Sequence, residues 1–161
     1  MDPIVCLEHF SKLLTEEANA LSRLEQLLDR EHELLVANDV EELDRAGVAR
    51  QECVGELMRI ESERLSVCRM MNVSADAAGL ERLMRWCDPS GSLASRWAAC
   101  ADHASRCRIA NDRNGALVAA RMKKVEGMLD IVTGRANAPK TYAKQGGYDS
   151  APRGPRVQIT V

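Results

Sequence analysis

A helical pattern runs unbroken from Leu93 to Val132 and carries a polar knot, Asn111-Asp112-Arg113-Asn114-Gly115, at its middle. Forty residues of helix span about 60 Å, at 1.5 Å per residue. A segment of that length must lie along other long helices or project past them, so it sets the scale for everything else in the chain. Two further heptad-like runs precede it. The composition agrees: aromatics are 3%, and Leu, Ala, Met, Glu and Arg are abundant. Straight side chains lose little rotamer freedom in a helix, whereas sheets draw on the β-branched and aromatic residues that are scarce here. The expected fold is all-α: an elongated antiparallel helical hairpin or bundle of three long helices plus one short helix, with a flexible C-terminal tail.

The first helix is expected from Pro3, with Asp2 as N-cap, to about Ala37. Its apolar seam is Leu7, Phe10, Leu14, Leu21, Leu24, Leu28 and Leu35, in alternating steps of three and four, with Glu17 and Glu31 at two interrupted positions. Asn38-Asp39 supplies a turn and the cap of a second helix. Glu41 and Glu42 then fall in its first turn, where the helix dipole favours them. The second seam is Ala46, Cys53, Leu57, Ile60, Val67 and Met71. Arg50 and Arg64 sit among these residues, with stems expected to cover apolar surface and heads expected to reach water. The short link makes these two helices an antiparallel hairpin.

Asn72-Val73-Ser74 breaks the pattern, and Ser74 is the expected cap of a short helix from about Ala75 to Cys87. Asp88-Pro89-Ser90-Gly91 forces a turn, after which Ser92 or Ser90 caps the long last helix. That helix has the seam Leu93, Trp97, Cys100, Ala104, Cys107, Asn111, Asn114, Val118, Val125, Met128 and Val132, and Gly134 is its expected C′ residue. Beyond it the composition turns to Gly, Pro, Ala and basic residues, too little apolar surface to offset the entropy of ordering. Two regions follow: a helical domain over 1–134 and a tail over 135–161. The closing Arg156-Val157-Gln158-Ile159-Thr160-Val161 alternates apolar and polar, as a frayed end or a strand added to a partner sheet.

Net charge is −2, but residues 1–63 hold 16 acids against 6 bases and residues 64–161 hold 8 against 16. Internal complementarity, an acidic hairpin beside a basic last helix, is favoured over an acidic partner or nucleic acid. Arg106, Arg108, Arg113, Arg121, Lys123 and Lys124 could track a phosphate backbone, but stacking aromatics are nearly absent. No secretory leader and no membrane-spanning stretch is read, so the expected location is the cytoplasm, without membrane insertion.

Catalytic chemistry finds little footing. No phosphate-cradling glycine loop is present. His9, His32 and His103 have no Ser/Asp partner at a readable spacing. Cys100, His103 and Cys107 share a helix face and would suit zinc, but a second cysteine pair is missing, and no Glu-x-x-His motif offers a di-iron core. The six cysteines, Cys6, Cys53, Cys68, Cys87, Cys100 and Cys107, form no Cys-x-x-Cys pair and read as small buried hydrophobes. No cofactor and no enzyme activity are expected.

Two features remain. Asn111 and Asn114 fall on the seam, where a hydrogen-bonded amide fixes register between helices; a polar notch in a recognition surface is the alternative. Leu117, Val118, Met122, Val125, Met128, Leu129 and Val132 form a methionine-rich apolar stripe. It is either core or, if uncovered, a surface that needs a partner.

These residues also resemble a known family. Asn111-Asp112-Arg113-Asn114-Gly115-Ala116-Leu117-Val118-Ala119-Ala120-Arg121, then Val125, Leu129 and Gly134, then Thr141-Tyr142 and Gly146, resembles the FlgN family of flagellar export chaperones. Leu27-Leu28-Asp29-Arg30-Glu31-His32-Glu33-Leu34-Leu35 with Asn38-Asp39-Val40-Glu41-Glu42-Leu43 is similar to that family's first helical hairpin. The resemblance implies a cytosolic, non-enzymatic chaperone. It would bind the C-terminal region of hook-associated proteins of the hook–filament junction, block premature assembly and deliver them to the cytosolic domain of the type III export gate. It places the client site on Val118, Met122, Val125, Met128, Leu129 and Val132, with Tyr142 docking at the client or the gate. A coiled-coil scaffold, with the stripe as a homodimer seam, is the alternative.

Overall fold

The computed structural model describes residues 2–133. Four helices fill nearly all of them: α1 (Pro3–Ala37), α2 (Val40–Met70), α3 (Ala77–Cys87) and α4 (Ser92–Val132), with no strand among the described residues. The all-α expectation holds. Gly134, Tyr142, the expected tail and its alternating last segment lie outside the described residues, as does the boundary expected at 134. Contacts divide the chain into two units, Met1–Lys123 and Lys124–Val161. The first contains α1, α2, α3 and most of α4.

Each boundary has a local cause. Asp2 accepts a hydrogen bond from the Ile4 N–H at 3.2 Å, and Pro3 occupies the first turn, where no N–H is needed. α1 stops at Asn38, whose φ of 60° places it in the left-handed region that asparagine tolerates better than most side chains. Asp39 then caps α2 through the Glu42 N–H, so α1 and α2 form the expected hairpin over a two-residue link.

Two caps differ from expectation. α3 is capped by Asp76, not Ser74: the Asp76 carboxylate accepts from the Gly79 N–H at 2.7 Å, and the Ser74 hydroxyl serves that carboxylate at 2.9 Å. Gly79 is required there, because a Cβ would sit 2.0 Å from the Ser74 carbonyl oxygen. The start of α4 is held by Asp88, not by Ser90 or Ser92. Its carboxylate accepts from the Leu93 N–H at 2.7 Å and from Ser90, while Gly91 makes the turn with φ of +79°. In both cases a carboxylate outcompetes a nearby hydroxyl, because an ionised acceptor makes the stronger bond.

Within the first unit α1 is the central helix. Cys6, Phe10, Leu14, Leu21 and Leu28 are buried on it, against Val67 and Cys68 of α2, Leu80, Leu83, Met84 and Cys87 of α3, and Leu93, Cys100 and Cys107 of α4. All six cysteines are unpaired and buried, as the sequence suggested. Burial pushes the Cys6 thiol up to about 12, with adjacent Cys87 adding to the shift.

The polar interruptions of the two seams meet each other. Glu31 of α1 accepts from Arg50 Nε of α2 at 2.7 Å, and two heptads back Glu17 faces the Arg64 guanidinium at 3.1 Å. The Arg64 head does not reach water as expected. It is 7% exposed, pairs with Glu17 and lies 4.3 Å over the ring centroid of Trp97 of α4.

Candidate partner-binding surface

α4 buries one residue per heptad against α1. Cys100 Sγ donates to the Leu14 carbonyl at 3.9 Å, Cys107 Sγ to the Leu21 carbonyl at 3.6 Å and Asn114 Nδ2 to the Leu28 carbonyl at 2.7 Å, each across a separation of 86 residues. A constant positive offset means that α1 and α4 run parallel. Small polar side chains at these positions link α4 directly to the α1 backbone. Asn114 is 5% exposed, and its Oδ1 accepts from His32 Nδ1–H at 3.0 Å. The Leu28 carbonyl can only accept, which fixes the orientation of the amide and hence the proton on His32 Nδ1. Asn111 is exposed and touches none of these groups.

The charges of the basic helix find the acids of α1. Arg106 Nε and His103 Nε2 both reach Glu25, at 3.3 and 2.8 Å; Arg113 reaches Asp29 at 3.1 Å. Arg106 beside Glu25 holds that carboxyl below its ordinary range, and His103 lowers it further. Arg121 donates to the Asn38 side chain at 3.2 Å and the Val36 carbonyl at 3.5 Å. Internal complementarity is therefore realised, between parallel neighbours. The Cys100, His103, Cys107 face that suggested zinc is engaged the same way: both thiols point to α1 carbonyls and the imidazole to Glu25.

The buried residues of α4 are Leu93, Cys100, Cys107 and Asn114, and none of its later described residues is buried. Carried to Ala37, the last residue of α1, the 86-residue offset ends at Lys123. From Val118 onward the apolar side chains of α4 face solvent: Val118 at 44%, Met122, Val125, Met128, Leu129, and Val132 at 83%. At about 100° per residue, Val118, Met122, Val125, Leu129 and Val132 fall within an arc of about 80°, with Met128 at its edge. Ile131, also exposed, lies off this stripe and was not read from the sequence.

The second heptad position of α4 behaves differently from the first. Ala104, Asn111 and Val118 were expected in the seam, yet all three are exposed. They line open grooves on the side where α4 and α2 flank α1. Among the described residues no helix is long and apolar enough to cross a membrane, and no group of three or more metal-ligating side chains gathers.

The described residues define an all-helical bundle in which α4 runs parallel to α1 and carries exposed apolar side chains. The family model of the FlgN protein matches residues 1–150, and the chain belongs to that family. No curated protein and no solved structure matches it. FlgN proteins are flagellar export chaperones, not enzymes, and that general role in flagellum assembly through type III export comes with membership.

Proposed function

We propose that this protein is a cytoplasmic chaperone that holds the C-terminal region of hook–filament junction proteins, prevents their premature assembly and delivers them to the cytosolic domain of the export gate. The observation that supports the reading is the exposed apolar stripe of α4. A client's amphipathic helix would lay its apolar face on Val118, Met122, Val125, Met128, Leu129 and Val132, in the helix-in-groove mode. Methionine lets one surface repack around more than one client. Tyr142 is proposed to add a contact at the client or at the gate. Binding by apolar contact alone is reversible, as delivery demands, and needs no cofactor.

Co-purification with the C-terminal segment of a hook–filament junction protein tests it, with a chain truncated after Gly134 as comparison. Val125→Asp and Met128→Asp are expected to abolish capture while circular dichroism keeps its native helicity. Unaltered capture in both variants rejects the surface. The same stripe also supports a scaffold that dimerises through α4; a micromolar dimer that Met128→Asp dissociates would favour that reading.

A further inference from the structure

The groove between α2 and α4 lies wholly within the first unit. Its floor is α1, at Leu24, Leu28 and Leu35, and it runs through two adjoining hollows of about 270 and 320 Å³ that share Arg50 and Asn111. Along α2 it extends from Leu57 to Leu43, about 21 Å of helix axis. That is four turns: the length of a helix and far more than a small ligand needs.

Three observations say what covers it. At the other end of the same unit the fourth position is filled by α3, whose Leu80, Leu83 and Met84 complete the core with α1, α2 and Leu93 of α4. There the protein itself shows that an amphipathic helix is what fits. Next, Gly47 of α2 and Gly115 of α4 line opposite walls, and a Cβ at either would meet nothing within 4 Å. Glycine weakens a helix interior, and nothing within this chain requires it at these positions; bare backbone on both walls lets another helix approach closely. Last, the charges are unequal. Arg50 is spent on Glu31, and Arg106 and Arg113 on acids of α1. Arg108 on the rim is exposed, with no acid in ion-pair range among the described residues.

We propose that this groove seats one amphipathic helix of the exported partner, with small apolar side chains where it crosses Gly47 and Gly115 and a carboxylate against Arg108. The partner's class rests on the chaperone reading; the groove is a second surface, apart from the α4 stripe.

The test uses the full chain and two stapled helical peptides of about 16 residues. They share one Leu/Ala face, flanked by Glu in one and by Lys in the other. Titration by fluorescence anisotropy is expected to show binding of the Glu-flanked peptide. Gly47→Leu with Gly115→Leu fills the groove and weakens that binding about tenfold or more, without lowering Tm. Arg108→Glu reverses the preference toward the Lys-flanked peptide. Equal binding of the two peptides by the native chain, or undiminished binding to the double variant, overturns the proposal. Should the double variant unfold, Arg108→Glu, a change at an exposed side chain, decides alone. A native dimer in sedimentation that the paired leucines dissociate puts a second copy in the groove and also overturns it. Peptide titration reads the groove alone and client co-purification reads the chaperone function, so either can fail without the other.

Discussion

Glu31 is almost wholly buried on α1, and its Oε1 accepts from Arg50 Nε of α2 at 2.7 Å; the Glu17–Arg64 pair repeats that arrangement two heptads away. A one-heptad slip of the hairpin would break both pairs: in one direction Glu31, Glu17 and Arg50 would face Leu43, Leu57 and Leu24, and Arg64 would face Phe10. The pairs therefore specify register more than they add stability, since desolvation offsets much of the attraction. At Glu17 the fit is incomplete: Oε2 sits 3.1 Å from Arg64 yet has no aligned hydrogen-bond donor.

Arg50→Leu leaves the Glu31 carboxylate buried without its partner. It is expected to cost about 1–3 kcal/mol, toward the low end because Arg50 is partly solvated. Adding Glu31→Leu should recover most of the loss. Urea unfolding of both single variants and the double gives the coupling; additive effects would deny the pairing.

Asn114→Ala removes two hydrogen bonds and opens a gap against α1, for an expected loss of about 1–2 kcal/mol by denaturant midpoint. Asn111→Ala, at an exposed position, should stay within about 0.5 kcal/mol. Equal losses at the two sites would contradict the division of roles between them.

Glycines of the same chain should respond in opposite directions. Gly79→Ala drives a methyl into the Ser74 carbonyl and should destabilise by about 1–3 kcal/mol. Gly115→Ala meets open space and should stabilise by about 0.5–1 kcal/mol. Thermal melts of the two variants check the signs.

Glu25 and Asp88 both have their carboxyl pKa lowered: Glu25 first by the Arg106 hydrogen bond, Asp88 first by the Ser90 hydroxyl and then by the Leu93 N–H. A carboxyl depressed by folding stabilises the native state above its unfolded pKa and loses that contribution as pH falls through the folded value. Stability should therefore be level above the ordinary carboxylate values of 4.5 and 3.8 and decline below them. Glu25→Gln and Asp88→Asn should each flatten that acid decline. Urea titrations across the acid range test this, and unchanged slopes would refute it.

Where helices begin and end was legible wherever one residue type had no competitor. Pro3, the Asn38-Asp39 link and the Pro89/Gly91 turn each admit one local solution, and the structure adopts it. The caps of α3 and α4 were misread because hydroxyls and carboxylates lie within a few residues of each other, and only the final path of the chain selects between them. Arg64 was misread for a longer-range reason: the groups that bury it, Glu17 and Trp97, come from two other helices.

The sequence by itself determined the helices, part of the seam of α1 (Phe10, Leu14, Leu21, Leu28 and Leu35, but not the buried Leu13, Ala20 and Leu34) and the matched charges of α1 and α4, because periodicity, capping and charge are local properties of a chain. Tertiary structure alone decided which half of the α4 seam is covered. Cys100, Cys107 and Asn114 are closed against α1, while Ala104, Asn111 and Val118 are left open, although both sets recur every seven residues. A heptad says which side chains share a face; whether a neighbouring helix arrives to cover them depends on where that neighbour ends and how far it stands away.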